Sequence, residues 1–83
     1  MMMKKEERVR IFIPYIWSLF KRYLNNTGYY VRAEDRLSTL FMKGESDVKE
    51  MIDELNKKSV EENTGITFKY KKRITYSKLL LQI

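Results

Sequence analysis

Ile66-Thr67-Phe68-Lys69-Tyr70-Lys71-Lys72-Arg73-Ile74-Thr75-Tyr76-Ser77-Lys78 is the stretch on which the fold turns. Ile66, Phe68 and Tyr70 alternate with Thr67 and Lys69, the two-residue period of a half-buried strand. Apolar and aromatic residues recur on both sides of Lys71-Lys72-Arg73. A three-residue connection there sets Tyr70 opposite Ile74 and Phe68 opposite Tyr76 on one face, with Lys69 and Thr75 on the other. The pattern therefore predicts a C-terminal β-hairpin over 66–78. The connection lacks the glycine such loops favour, which leaves its register open. Leu79-Leu80-Leu81-Gln82-Ile83 breaks the alternation. It reads either as a buried continuation of the strand or as a short helix capped by Ser77.

Upstream, Val48, Met51, Ile52 and Leu55 repeat at i, i+3, i+4 and i+7, which predicts a helix over 48–62. Lys49–Asp53, Asp53–Lys57, Glu54–Lys58 and Lys57–Glu61 are opposite charges four residues apart and support it. Asp47, three residues before Glu50, has the form of a capping box. Asn63-Thr64-Gly65 ends the helix. Ala33 to Lys43 reads as a shorter helix with Leu37, Leu40 and Phe41 inward, stopped by Gly44. Tyr29-Tyr30-Val31 reads as extended, after the breaker Asn25-Asn26-Thr27-Gly28.

Two readings compete at the N-terminal side. In one, residues 8–13 form a strand and Pro14 takes the first position of a helix to about residue 25, where its missing N–H costs nothing. In the other, one helix runs from about residue 4 to 25. Val9, Phe12, Ile13, Ile16, Trp17, Phe20 and Leu24 then share a stripe, at the cost of an interior proline, about 3 kcal/mol. The proline favours the strand-then-helix reading. The expected fold is a small α+β domain spanning 1–83, with residues 1–6 flexible. Two or three helices lead into the hairpin, and a short N-terminal strand precedes them. That order is similar in outline to a winged helix-turn-helix, but no specific motif carries the likeness.

The 83 residues allow one domain, and neither cysteine nor histidine is present. Disulfides, thiolate or imidazole metal sites and the usual general base are excluded. Gly28, Gly44 and Gly65 are isolated and make no phosphate-cradling loop. Glu50 and Glu54 share a helix face, where solvated charge is the ordinary explanation. No cofactor and no enzymatic activity are expected. A chain this short buries only about 60% of its unfolded surface, which makes a homodimer a reasonable way to complete the core. No apolar run approaches the length of a membrane span, and no signal peptide is evident. A cytoplasmic location is expected. Lipid-surface binding through Tyr15, Trp17, Phe20, Lys21 and Arg22 would forfeit the richest apolar supply and is disfavoured.

The formal net charge is +6 and is unevenly spread. Residues 1–24 carry six basic against two acidic side chains, residues 25–65 six against nine, and residues 66–83 five against none. The ends are basic and the centre mildly acidic. Lys69, Lys71, Lys72, Arg73 and Lys78, interleaved with Tyr70 and Tyr76, form the best candidate for contact with nucleic acid. Cations neutralise phosphates, and tyrosines stack on bases. Arg8, Arg10, Lys21 and Arg22, with Lys4 and Lys5, would extend the patch if the two ends meet. The expected function is regulatory nucleic-acid binding, DNA slightly favoured over RNA. The alternative is a non-catalytic interaction module or inhibitor that docks on an acidic protein surface.

Overall fold

The computed structural model describes residues 3–26 and 28–83, and its regular elements are four helices. They are α1 (Lys5–Tyr23), α2 (Leu37–Leu40), α3 (Glu45–Glu61) and α4 (Tyr76–Leu80). The fold is all-α. Among the described residues no β-strand forms, and only two isolated antiparallel bridges occur, Leu24 with Phe41 and Arg36 with Thr75. The expected α+β class, the hairpin over 66–78 and the winged-helix outline are thereby corrected.

The strand expected at 8–13 is also absent, because α1 runs through Pro14 without a break. The helical stripe outweighs the proline. Phe12, Ile16, Leu19, Phe20 and Tyr23 all become buried on one helix. Each such burial is worth about 1.5–3 kcal/mol, against a single proline cost of about 3 kcal/mol. Pro14 itself lies on the exposed face. Glu6 and Glu7 in the first turn, and Lys21 and Arg22 in the last, complement the helix dipole. Of the segment expected to be flexible, Met1 and Met2 lie outside the described residues, while Lys5 and Glu6 already belong to α1. Thr27, in the expected breaker, also lies outside them.

The α3 stripe Val48, Met51, Ile52 and Leu55 is buried along its whole length. The helix starts one turn earlier than its apolar pattern indicates, from Gly44 at φ 54°, a backbone conformation that suits glycine. Asp47 is therefore not the cap. Its buried carboxylate reaches back to accept the Lys43 N–H at 2.8 Å. The expected helix over 33–43 contracts to the single turn of α2. Asp35 builds a competing local turn by accepting the Arg32 N–H at 2.8 Å, and the backbone of 33–37 pairs with the C-terminal segment instead. α4 realises the helical alternative for 79–83 only in part, and its cap is Thr75, which accepts the Lys78 N–H, not Ser77.

α1 and α3 pack antiparallel. The Met3 N–H donates to the Thr64 carbonyl just past the end of α3, and the Tyr23 carbonyl accepts the Met42 N–H just before its start. The 64–75 segment runs back along this pair and inserts Phe68 edge-on to Phe12 at 4.9 Å between ring centres. Trp17, Phe20, Phe41 and Tyr76 close the other end of the core with centroid spacings of 5.1–5.9 Å. The molecule measures 38 × 20 × 20 Å.

The alternating segment 66–70 fails to form a hairpin because side chains take the place of a partner strand. The Asn56 amide accepts the Phe68 N–H at 2.6 Å and donates to the Phe68 carbonyl at 3.0 Å. The Gln82 amide does the same for Lys69, at 2.6 and 3.0 Å. Successive residues of an extended chain point their polar groups to opposite sides, so Asn56 and Gln82 serve opposite edges. A turn does form at the expected connection, with the Ile74 N–H donating to the Lys71 carbonyl and Arg73 taking φ 61°. Beyond it the chain pairs with residues 33–37, so Tyr70 does not face Ile74, nor Phe68 Tyr76.

Candidate nucleic-acid interface

Backbone pairing between residues 33–37 and 74–77 builds the site. The Leu37 N–H donates to the Ile74 carbonyl, the Tyr76 N–H to Asp35 and the Ser77 N–H to Ala33, all at 3.0–3.1 Å. Arg36 sits across from Thr75. This short antiparallel tie brings Arg32 and Arg36 beside Arg73 and Lys78, with the Lys71–Arg73 turn at its end. Arg32, Arg36, Lys71, Lys72, Arg73 and Lys78 are all exposed. Among the described residues the ion pairs are Lys57–Glu54 and Lys58–Glu62 on α3, so none of these six cations is in one.

Two nearby acids, both half-buried, are held by hydrogen bonds. Asp35 accepts the Tyr29 hydroxyl at 3.1 Å as well as the Arg32 N–H. Glu45, the first residue of α3, accepts the Tyr70 hydroxyl at 2.7 Å and the Arg73 N–H at 3.0 Å. Burial pushes the Glu45 carboxyl up. The hydrogen bonds from Tyr70, the Arg73 N–H and Ser38 outweigh that and hold it below its ordinary value. The bond to Glu45 in turn raises the Tyr70 phenol. Glu45 thus pins both sides of the basic turn to the α3 N-terminus, and Glu34 remains exposed as the local counter-charge.

The two basic ends of the chain do meet. Arg8 Nε donates to the Ile83 carbonyl at 2.6 Å, and Trp17 Nε1 donates to the Tyr76 hydroxyl at 3.1 Å. Their cations nevertheless do not form one compact patch. The Arg8 guanidinium is committed to the carbonyls of Ile83 and Met3. Arg10 is exposed near the start of α1, whereas Lys21 and Arg22 are exposed in its last turn, about 15–20 Å along the axis. Lys21 and Arg22 share the end of the molecule that holds Glu45 and the basic turn. Arg22 leans over the Tyr23 ring, 5.9 Å from its centre. Lys69 is exposed, and its backbone is held by Gln82.

Tyr70 and Tyr76 are both half-buried and engaged within the fold. Tyr70 bonds to Glu45, with Lys49 Nζ 5.2 Å from its ring centre. Tyr76 accepts from Trp17 and packs on the Trp17 and Phe20 rings. Both tyrosines thus also hold the fold together around the cations. Arg32, Arg36 and Tyr30 are exposed on this part of the surface and do not stand out in the sequence pattern. The two arginines stand in a segment of net negative charge, and Arg36 directly precedes the single turn of α2. Tyr30 lies in a short extended run, where Tyr29-Tyr30 followed by Arg32 also interleaves aromatic rings and a cation.

Among the described residues no group of three side chains suited to a metal ion comes together, and no helix is long and apolar enough to cross a membrane. A surface groove of about 600 Å³ is lined by Asp53, Asn56, Lys57, Val60 and Glu61 on the outer face of α3, away from the basic turn. Comparison with protein-family models, with curated proteins and with solved structures finds no match.

Proposed function

We propose that this protein binds nucleic acid through the cations of the 32–36 and 71–78 segments, with Lys21 at the same end. One observation carries the proposal: backbone pairing gathers six exposed cations, none of them in an ion pair among the described residues, against only Glu34, Asp35 and Glu45 nearby, which leaves the surface net positive. Such a surface attracts phosphates. The outer face of α3, rich in Asp and Glu, stays out of the contact. Lys71, Lys72 and Arg73 touch backbone phosphates, and Arg36 and Lys78 extend the track. DNA and RNA offer the same phosphate chemistry, and a regulatory role in the cytoplasm accords with either.

Fluorescence anisotropy with labelled oligonucleotides tests the proposal. The expected result is a dissociation constant of about 10⁻⁴–10⁻⁶ M that weakens steeply with salt, as release of condensed counterions requires. Affinity no tighter than millimolar at low salt would contradict it.

A further inference from the structure

Six tyrosines are present, and five of them are accounted for by the fold. Tyr15 lies under Lys58, Tyr23 is buried, and Tyr29, Tyr70 and Tyr76 hold hydrogen bonds to Asp35, Glu45 and Trp17. Tyr30 is 84% exposed, more than any other large apolar side chain among the described residues, and no ring contact or hydrogen bond there engages it. The backbone around it is nevertheless tied down. The Gly28 N–H donates to Asn26 Oδ1 at 3.0 Å, and the Tyr29 N–H to the Asn26 carbonyl at 3.0 Å. On the other side Asp35 holds both the Tyr29 hydroxyl and the Arg32 N–H. Tyr29 and Val31 are half-buried, and Val31 packs on the core. In extended chain the residue between them projects the opposite way. Tyr30 is thus an aromatic ring displayed outward by an anchored segment.

Its neighbours decide what the ring could meet. Arg32 follows two residues later and is exposed, and Ala33 is bonded through its carbonyl to Ser77, next to Lys78. A flat π-face beside a row of cations matches a nucleobase joined to its phosphates. In a duplex the base faces are stacked on one another and closed to such a ring. We infer that Tyr30 is a stacking platform for an unpaired nucleobase, and that the ligand is a single strand whose phosphates follow Arg32, Arg36 and Lys78. This rests on the nucleic-acid reading above and specifies its ligand. It also moves the stacking role from Tyr70 and Tyr76, which the fold uses, to Tyr30, which it does not.

The test measures affinity of the full chain for an oligothymidylate and for a duplex of equal length, in the wild type and in Tyr30→Ala, Tyr30→Phe and Tyr30→Trp. Circular dichroism checks that each variant is folded. Tyr30→Ala is expected to lower the single-strand-to-duplex affinity ratio by about 5- to 100-fold, the range of one lost stacking contact. Tyr30→Phe should keep the wild-type ratio. Tyr30→Trp should show oligothymidylate-dependent quenching beyond that of Trp17 in the wild type. An unchanged ratio in Tyr30→Ala, with wild-type binding intact, overturns this inference alone. A wild type that binds neither ligand overturns the nucleic-acid reading and this inference together.

Discussion

The side-chain amide of Asn56 pairs with both backbone polar groups of Phe68, accepting its N–H at 2.6 Å and donating to its carbonyl at 3.0 Å. One α3 side chain thereby does the hydrogen-bonding of a neighbouring strand at the point where Phe68, 2% exposed, enters the core. Asn56→Ala leaves both Phe68 groups without a partner in a half-buried place. Each orphaned group costs about 1–3 kcal/mol, so a loss of about 2–4 kcal/mol is expected in urea unfolding. Asn56→Asp keeps the acceptor but sets a carboxylate against the Phe68 carbonyl, and should also destabilise. Gln82→Ala, at a more exposed pairing with Lys69, should cost less.

Pro14 occupies the interior of α1 on its exposed side. Restoring the missing N–H and removing the ring clash with the Arg10 carbonyl should strengthen the helix. Pro14→Ala is expected to stabilise the fold by about 1–3 kcal/mol. A rise in the thermal midpoint, with an unchanged far-ultraviolet spectrum, checks this.

The Tyr23 hydroxyl is buried, and burial pushes its phenol up while the neighbouring Arg22 guanidinium pulls the other way. Its ring packs on Phe41 with 5.5 Å between centres. Tyr23→Phe keeps the ring and removes a buried oxygen beside the exposed Arg22, so stability should change by no more than about 1 kcal/mol. Tyr23→Ala should cost about 3–5 kcal/mol through the cavity it leaves. Chemical denaturation of the two variants separates the roles of ring and hydroxyl.

The Glu45 clamp has a defined pH window. The folded carboxyl lies below its ordinary value, so its contribution is present above the unfolded value of about 4.3 and is lost as pH falls through the folded one. The folded Tyr70 phenol is raised, so its contribution is full below about 10 and is lost as pH rises through the folded value. Between these limits the Arg73 amide should exchange slowly with solvent. Glu45→Gln should bring faster Arg73 exchange to neutral pH, as acid does in the wild type, without a matching change at Leu55 in the core. Equal exchange at Arg73 in both proteins would show that Glu45 does not hold the turn.

Periodicity suffices to locate α3, because Val48, Met51, Ile52 and Leu55 form a stripe that suits no other element. The same signal is present in α1, where Phe12, Ile16 and Phe20 agree, yet a single proline weighs against it. Summed burial exceeds that local cost, and a rule about one residue does not show the sum. The 66–70 segment is extended, as its alternation indicates, but alternation does not tell whether the polar edge meets a strand or an amide. Asn56, 12 residues before Phe68, and Gln82, 13 residues after Lys69, look like ordinary polar residues in the sequence. The cations of the C-terminal stretch are legible from composition alone. The company they keep is not, since Arg32 and Arg36 reach them only through a pairing between residues some 40 positions apart.

The central claim is that the ligand docks on the cationic end and not on the acidic face of α3. Heteronuclear NMR of the labelled protein, titrated with an oligonucleotide at low salt, tests it most directly. Shifts should concentrate at Tyr30, Arg32, Arg36, Lys71–Arg73 and Lys78, with Asp53, Lys57 and Glu61 unmoved. Shifts centred on Asp53–Glu61, or none at all, would contradict the account.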